Sequence, residues 1–127
     1  MTPEGKVKNK VRQLLFKYGV YFFTPATGGY GRSGVPDIVG CMNGRFFAIE
    51  CKAGDNELTP LQSDEINTIW LHKGVAFVIH GDNLEVLETW LAEQSKLNDM
   101  YAPCEVMTVP RRLAKRIRMP VHDNLND

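Results

Sequence analysis

Asp37, Glu50 and Lys52 are the residues of this chain whose types and spacing suggest chemistry. Glu50 and Lys52 stand two apart, so on a strand their side chains share a face, while Phe47, Ile49 and Cys51 point to the other. Asn43-Gly44 lies between Asp37 and Glu50 and is a strong signal for a tight hairpin. Such a hairpin sets the neighbourhoods of residues 37 and 50 opposite each other. Two carboxylates brought together repel, and partial burial raises the cost. A divalent cation resolves the conflict, and Mg²⁺ is commonly held by one or two carboxylates with water and phosphate oxygens. A metal so held polarises a phosphate and activates a water. Lys52 would then orient or deprotonate the water, or neutralise charge on the phosphorane. The chemistry expected is phosphodiester hydrolysis.

A plainer reading makes Asp37 a turn cap after Pro36 and leaves Glu50 and Lys52 as exposed strand residues. The run Phe46-Phe47-Ala48-Ile49 weighs against it, because Glu50 ends what reads as an interior strand, where charges are unusual.

The elements that must position these groups follow from local signals. Thr2-Pro3-Glu4 provides an N-cap, a proline at the first helical position and an acid in the first turn. Val7, Val11, Leu14, Leu15 and Tyr18 recur at helical spacing, and Gly19 sits where a C-cap belongs. Residues 20–24 read as an aromatic strand ended by Pro25. Residues 26–34 carry Gly28, Gly29, Gly31 and Gly34 and read as a loop, with Tyr30 and Arg32 available to a phosphate or a base. Strands are expected over residues 35–41 and 45–52, joined by Asn43-Gly44. Thr59-Pro60-Leu61-Gln62 is a capping box opening a helix that ends near Lys73-Gly74. A fourth strand over residues 75–80 and a helix from Asp82 to about Lys96 follow. Beyond them, residues 106–109 read as a short strand and residues 111–118 as a short basic helix. The order α-β-β-β-α-β-α implies an α/β (mixed α+β) fold, a mixed four-stranded sheet flanked by helices. Residues 1–97 would form the core, and residues 98–127 an extension belonging to the same domain or to a subunit interface.

A length of 127 residues suits one domain. With 43% hydrophobic and 24% charged residues the chain has the balance of a globular protein, and no stretch approaches the about 20 apolar residues of a membrane helix. Cys41, Cys51 and Cys104 are odd in number and widely spaced, which implies reduced, buried thiols and a cytoplasmic setting, not a disulfide framework or a zinc site. The net charge of zero conceals basic ends. Residues 1–17 hold five basic side chains against Glu4 alone, and Arg111, Arg112, Lys115, Arg116 and Arg118 have no acid among them. Folded onto one side, these ends would attract a polyanion. As separate solvated faces they would do nothing specific. His72, His80 and His122 lack metal-ligand spacing, and Asp55 and Glu57 read as solvated.

Gly34-Val35-Pro36-Asp37 followed by Phe47-Ala48-Ile49-Glu50-Cys51-Lys52 resembles the PD-(D/E)xK nuclease superfamily. Gly31-Arg32-Ser33 before that motif, and Leu58-Thr59-Pro60-Leu61-Gln62 after it, resemble the VRR-NUC (virus-type replication-repair nuclease) branch. The resemblance covers roughly residues 2–90. It implies a restriction-endonuclease-like core and Mg²⁺- or Mn²⁺-dependent hydrolysis of DNA. Asp37, Glu50 and the backbone carbonyl of Cys51 would hold the metal, Lys52 would handle the water, Glu4 would support the metal, and Gln62 would steady the site. Glu4 can equally serve only the helix dipole, and Gln62 only its capping box. The resemblance further implies a structure-specific endonuclease, acting on branched or four-way DNA as a homodimer, cytoplasmic and bacterial or phage-encoded. The alternatives are another nuclease of the superfamily, such as an archaeal-like junction resolvase or a restriction-like endonuclease, or a non-catalytic DNA-binding module.

Overall fold

Residues 1–26 and 31–97 are described by the structure, a computed structural model. The elements run α1 (Pro3–Lys17), β1 (Tyr21–Phe23), β2 (Ile38–Met42), β3 (Arg45–Cys51), α2 (Pro60–Leu71), β4 (Val75–Ile79) and α3 (Leu84–Ser95). The order matches the expectation.

Helix α1 starts where its cap dictates. The Thr2 hydroxyl accepts the Gly5 N–H at 3.0 Å, and Pro3 fills a position whose N–H would have no helical partner. Val7, Val11 and Leu15 are buried, and Leu14 and Tyr18 pack beside them.

The sheet runs β1-β2-β3-β4, antiparallel across its first two pairings and parallel between β3 and β4. At the β2–β3 turn Asn43 and Gly44 have φ of 51° and 81°, the two positive values a type I′ hairpin needs. That turn sets Met42 opposite Arg45 and, at the far end of the ladder, Ile38 opposite Ile49. A parallel neighbour for β3 requires a crossover, and α2 supplies it.

One face of the sheet carries the core. Ile38, Met42, Phe47, Ile49, Cys51, Phe77 and Ile79 pack with the α1 stripe and with Leu87 and Leu91 of α3. The Trp90 ring meets Phe47 and Phe77 edge to face, with centroids 5.6 and 5.4 Å apart. On the opposite face Tyr21, Cys41 and Phe46 form a cross-strand row, and all three are exposed.

Several expectations need correction. Strand β2 begins at Ile38, not Val35, because Pro36 has no N–H to give a ladder and Asp37 engages β3 through its side chain. Strand β1 is one residue shorter at each end than expected, and β3 and β4 each stop one residue early. Cys51 is buried, but Cys41 points to the open face of the sheet. The features expected beyond Leu97 lie outside the described residues, including the basic segment 111–118 and Cys104. Among the described residues no helix is long and apolar enough to cross a membrane.

Candidate active site

The chain reaches Asp37 through a constrained approach. Gly34 has φ of 83° and lies so close to α2 that a Cβ there would sit 2.6 Å from the Leu61 carbonyl carbon. Only glycine meets both conditions. Pro36 is buried next to it. Asp37 Oδ2 then accepts the Cys51 N–H at 2.8 Å, tying the segment before β2 to the end of β3. Arg32 adds a side-on ion pair to Glu65 of α2, so the loop exit is fastened to that helix by charge as well as by contact.

Glu50 is 3% exposed. Its Oε1 accepts the Gln62 side-chain amide at 3.0 Å. Its Oε2 is buried and has no hydrogen-bond partner among the described residues. Burial, first, and then the Asp37 charge and a hydrogen bond available to Asp37 push the Glu50 carboxyl up to about 8, against the opposing charge of Lys52. The two acids therefore call for one positive charge between them. A proton on Glu50 meets that need, and so would a cation.

Lys52 is 8% exposed, and its backbone N–H donates to the Ile79 carbonyl at 2.9 Å, which anchors the residue to β4. Among the described residues no carboxylate lies within 4.0 Å of its ammonium. Cys51, between Glu50 and Lys52, faces the core. Burial, with the neighbouring Asp37 and Glu50 charges, pushes its thiol up to about 12, so it is no nucleophile.

Gln62 makes contacts of both kinds that the sequence left open, to its helix cap and to Glu50. Its Oε1 accepts the Thr59 N–H at 2.9 Å while the Thr59 hydroxyl accepts the Gln62 N–H at 3.2 Å, completing the capping box. The same amide donates its Nε2 hydrogen to Glu50. The start of α2 and the orientation of the Glu50 carboxyl are thus fixed by one side chain.

From α1, Glu4 comes near enough for its charge to act on Glu50, but its direct partner is Lys8, 3.5 Å away. Lys8 also lies 3.3 Å from Asp37 Oδ1. Burial works against the Lys8 charge, but Asp37 and Glu4 outweigh it and hold the ammonium above its ordinary range. Sequence reasoning missed Lys8. Its one local signal is the Glu4–Lys8 spacing of four, a pairing so common on helices that it points to no site.

The structure thus brings Asp37, Glu50, Lys52 and Gln62 together, with Glu4 at their edge. Asp55 and Glu57 are exposed, as expected, and His72 caps α2 with its ring Nδ1 2.8 Å from the Thr68 carbonyl oxygen. Tyr30, Arg111, Arg112, Lys115 and Arg116 lie outside the described residues. Among the described residues no three His, Cys, Asp or Glu side chains cluster as a ready metal cage. The donor set is two carboxylates, one with a bare buried oxygen, which suits a hard divalent cation that keeps water and substrate oxygens in its shell. No protein-family profile, curated protein or solved structure matches the chain.

Proposed function

We propose that this chain is a divalent-cation-dependent nuclease with a PD-(D/E)xK core of the VRR-NUC type, hydrolysing the phosphodiester backbone of DNA at structured sites such as branches or four-way junctions. The observation that carries the reading is the state of Glu50: buried, oriented by Gln62, and left with one bare oxygen beside Asp37. Burying a second acid beside Asp37 has a cost that a proton on Glu50 offsets below about pH 8, and a divalent cation would offset it with both carboxylates ionised.

Asp37 and Glu50 would hold Mg²⁺ or Mn²⁺, with the Cys51 carbonyl next in line and Glu4 at the margin. A bound cation supplies Lewis acidity toward a phosphoryl oxygen and neutralises charge there. Lys52 orients the attacking water and offsets negative charge gathering on the phosphate. Gln62 holds the Glu50 carboxyl plane while charge moves around it. Tyr30, with Arg111, Arg112, Lys115 and Arg116, would meet the DNA backbone, and Arg32 would join them by giving up its pair with Glu65. A homodimer would present two such sites to two strands, as a four-way junction requires. The setting would be cytoplasmic, with the chain bacterial or phage-encoded.

The test is a cleavage panel of single-stranded, duplex, flap, splayed and four-way DNA, each in Mg²⁺ and in Mn²⁺, with the wild type and Lys52→Ala. Metal-dependent cutting by the wild type, strongest on a branched substrate and lost in the variant, is expected. Absence of cutting on every substrate, with DNA binding indifferent to Mg²⁺, would overturn the reading in favour of an inert binding module.

A further inference from the structure

Asp37 has one oxygen committed and one contested. Its Oδ2 holds the Cys51 N–H, and Oδ1 takes no backbone N–H, which makes Oδ1 the freer of the two for a cation. The Lys8 ammonium already stands there, 3.3 Å away and 3.5 Å from Glu4 Oε2. The Lys8 side chain is 30% exposed, so it sits partly in the site and partly in solvent. Across the pair, Glu50 Oε2 has no partner. One tethered charge therefore serves the Asp37 side of the site and leaves the Glu50 side bare.

We propose that Lys8 is the resident counter-ion of the site, holding Asp37 Oδ1 in the metal-free protein and competing with a divalent cation for that oxygen. The inference rests on the nuclease reading of the same acids. A divalent ion carries two charges and can serve both carboxylates at once, whereas the ammonium carries one and is confined by its stem to the α1 side. Lys8 lies on a flexible four-carbon chain and can leave without disturbing the helix. It keeps Asp37 neutralised while the site waits, and it lowers the apparent affinity for metal by the strength of the contacts that must be given up.

Isothermal calorimetry of Mn²⁺ into the full chain, without DNA, tests this with wild type, Lys8→Met and Lys8→Arg. Lys8→Met removes the charge and is expected to bind Mn²⁺ about three- to tenfold more tightly, the range for giving up one or two half-exposed ion pairs. Lys8→Arg keeps the charge and should stay near wild type. In metal-free buffer Lys8→Met should melt below the wild type, with the gap closing as Mn²⁺ saturates both. Should Lys8→Met fail to fold, Lys8→Gln removes the same charge with a polar side chain. Equal or weaker Mn²⁺ affinity in a folded neutral variant, beside a wild type that does bind, overturns the Lys8 assignment alone. If none of the proteins binds Mn²⁺, the nuclease reading falls together with it.

Discussion

The Asp37 carboxylate takes the backbone N–H of Cys51 at 2.8 Å, just beyond Ile38 and Ile49, the last residues paired in the β2–β3 ladder. A side chain thus continues an attachment that backbone groups had made up to that point. The same bond satisfies a buried donor, while the other carboxylate oxygen stands 3.3 Å from the Lys8 ammonium.

Asp37→Ala should therefore cost about 1–3 kcal/mol, the usual penalty for a buried donor left unmet. Asp37→Asn keeps an acceptor and should cost clearly less. Both should lose metal affinity in calorimetry. Equal destabilisation of the two variants in urea would show that the Cys51 bond is not what Asp37 contributes to the fold.

Glu50 predicts a pH dependence of stability in the absence of metal. Its carboxyl is raised from 4.5 to about 8 by burial first and by Asp37 second. Between those values the folded chain holds a proton that the unfolded chain has released. Stability should fall as pH rises through this window, and the penalty should be complete above about 8. Glu50→Gln cannot ionise, so its urea midpoint should gain on the wild type steadily from pH 5.5 to pH 8.5. A constant difference across that range would contradict the assignment.

Lys52→Ala should reduce cleavage at least about a hundredfold, which corresponds to losing about 2.7 kcal/mol of transition-state stabilisation. Circular dichroism should be unchanged in shape, because the anchoring contact of Lys52 is its backbone N–H to Ile79. Near-normal single-turnover rates in the variant would remove Lys52 from the chemistry.

The two duties of Gln62 can be separated. Thr59→Ala breaks only the cap and should cost about 1 kcal/mol with metal affinity intact. Gln62→Ala breaks the cap and also releases Glu50 Oε1, so it should match or exceed that loss and change metal affinity as well. Identical behaviour of the two variants in calorimetry would reduce Gln62 to a helix cap.

Gly34→Ala should destabilise the chain by about 1–3 kcal/mol, since a left-handed φ and a crowded Cβ both oppose it. Cleavage should fall more than stability accounts for, because Asp37 lies three residues on. A melting temperature equal to wild type would show that the segment can move away from α2 freely.

What could be read from the sequence was whatever local chemistry dictates. Asn43-Gly44 can form little except a tight hairpin, and that turn alone placed Asp37 near Glu50. Thr59 with Gln62 announced the start of α2 in the same way. Less could be read where a tertiary contact replaced a local rule. Strand β2 starts late because a side chain takes over from the backbone at Asp37. Cys41 lies exposed because its face of the sheet is open near β1, which composition does not reveal. Lys8 looked like one more cation on a basic helix, and its partner Asp37 is far along the chain.

That distance has a consequence for how the site comes into being. Asp37, Glu50, Lys52 and Gln62 all fall within one hairpin and the start of the following helix, so their meeting requires only short loops to close. Lys8 and Glu4 arrive by a contact across 29 positions, from Lys8 to Asp37. The longer span closes at only about 0.6 kcal/mol more per doubling of loop length, so what the Lys8 contact needs is the docking of α1 itself. An undocked α1 would leave the acid pair without its ammonium. The N-terminal helix thus carries to Asp37 a charge that the hairpin and its following helix do not themselves supply.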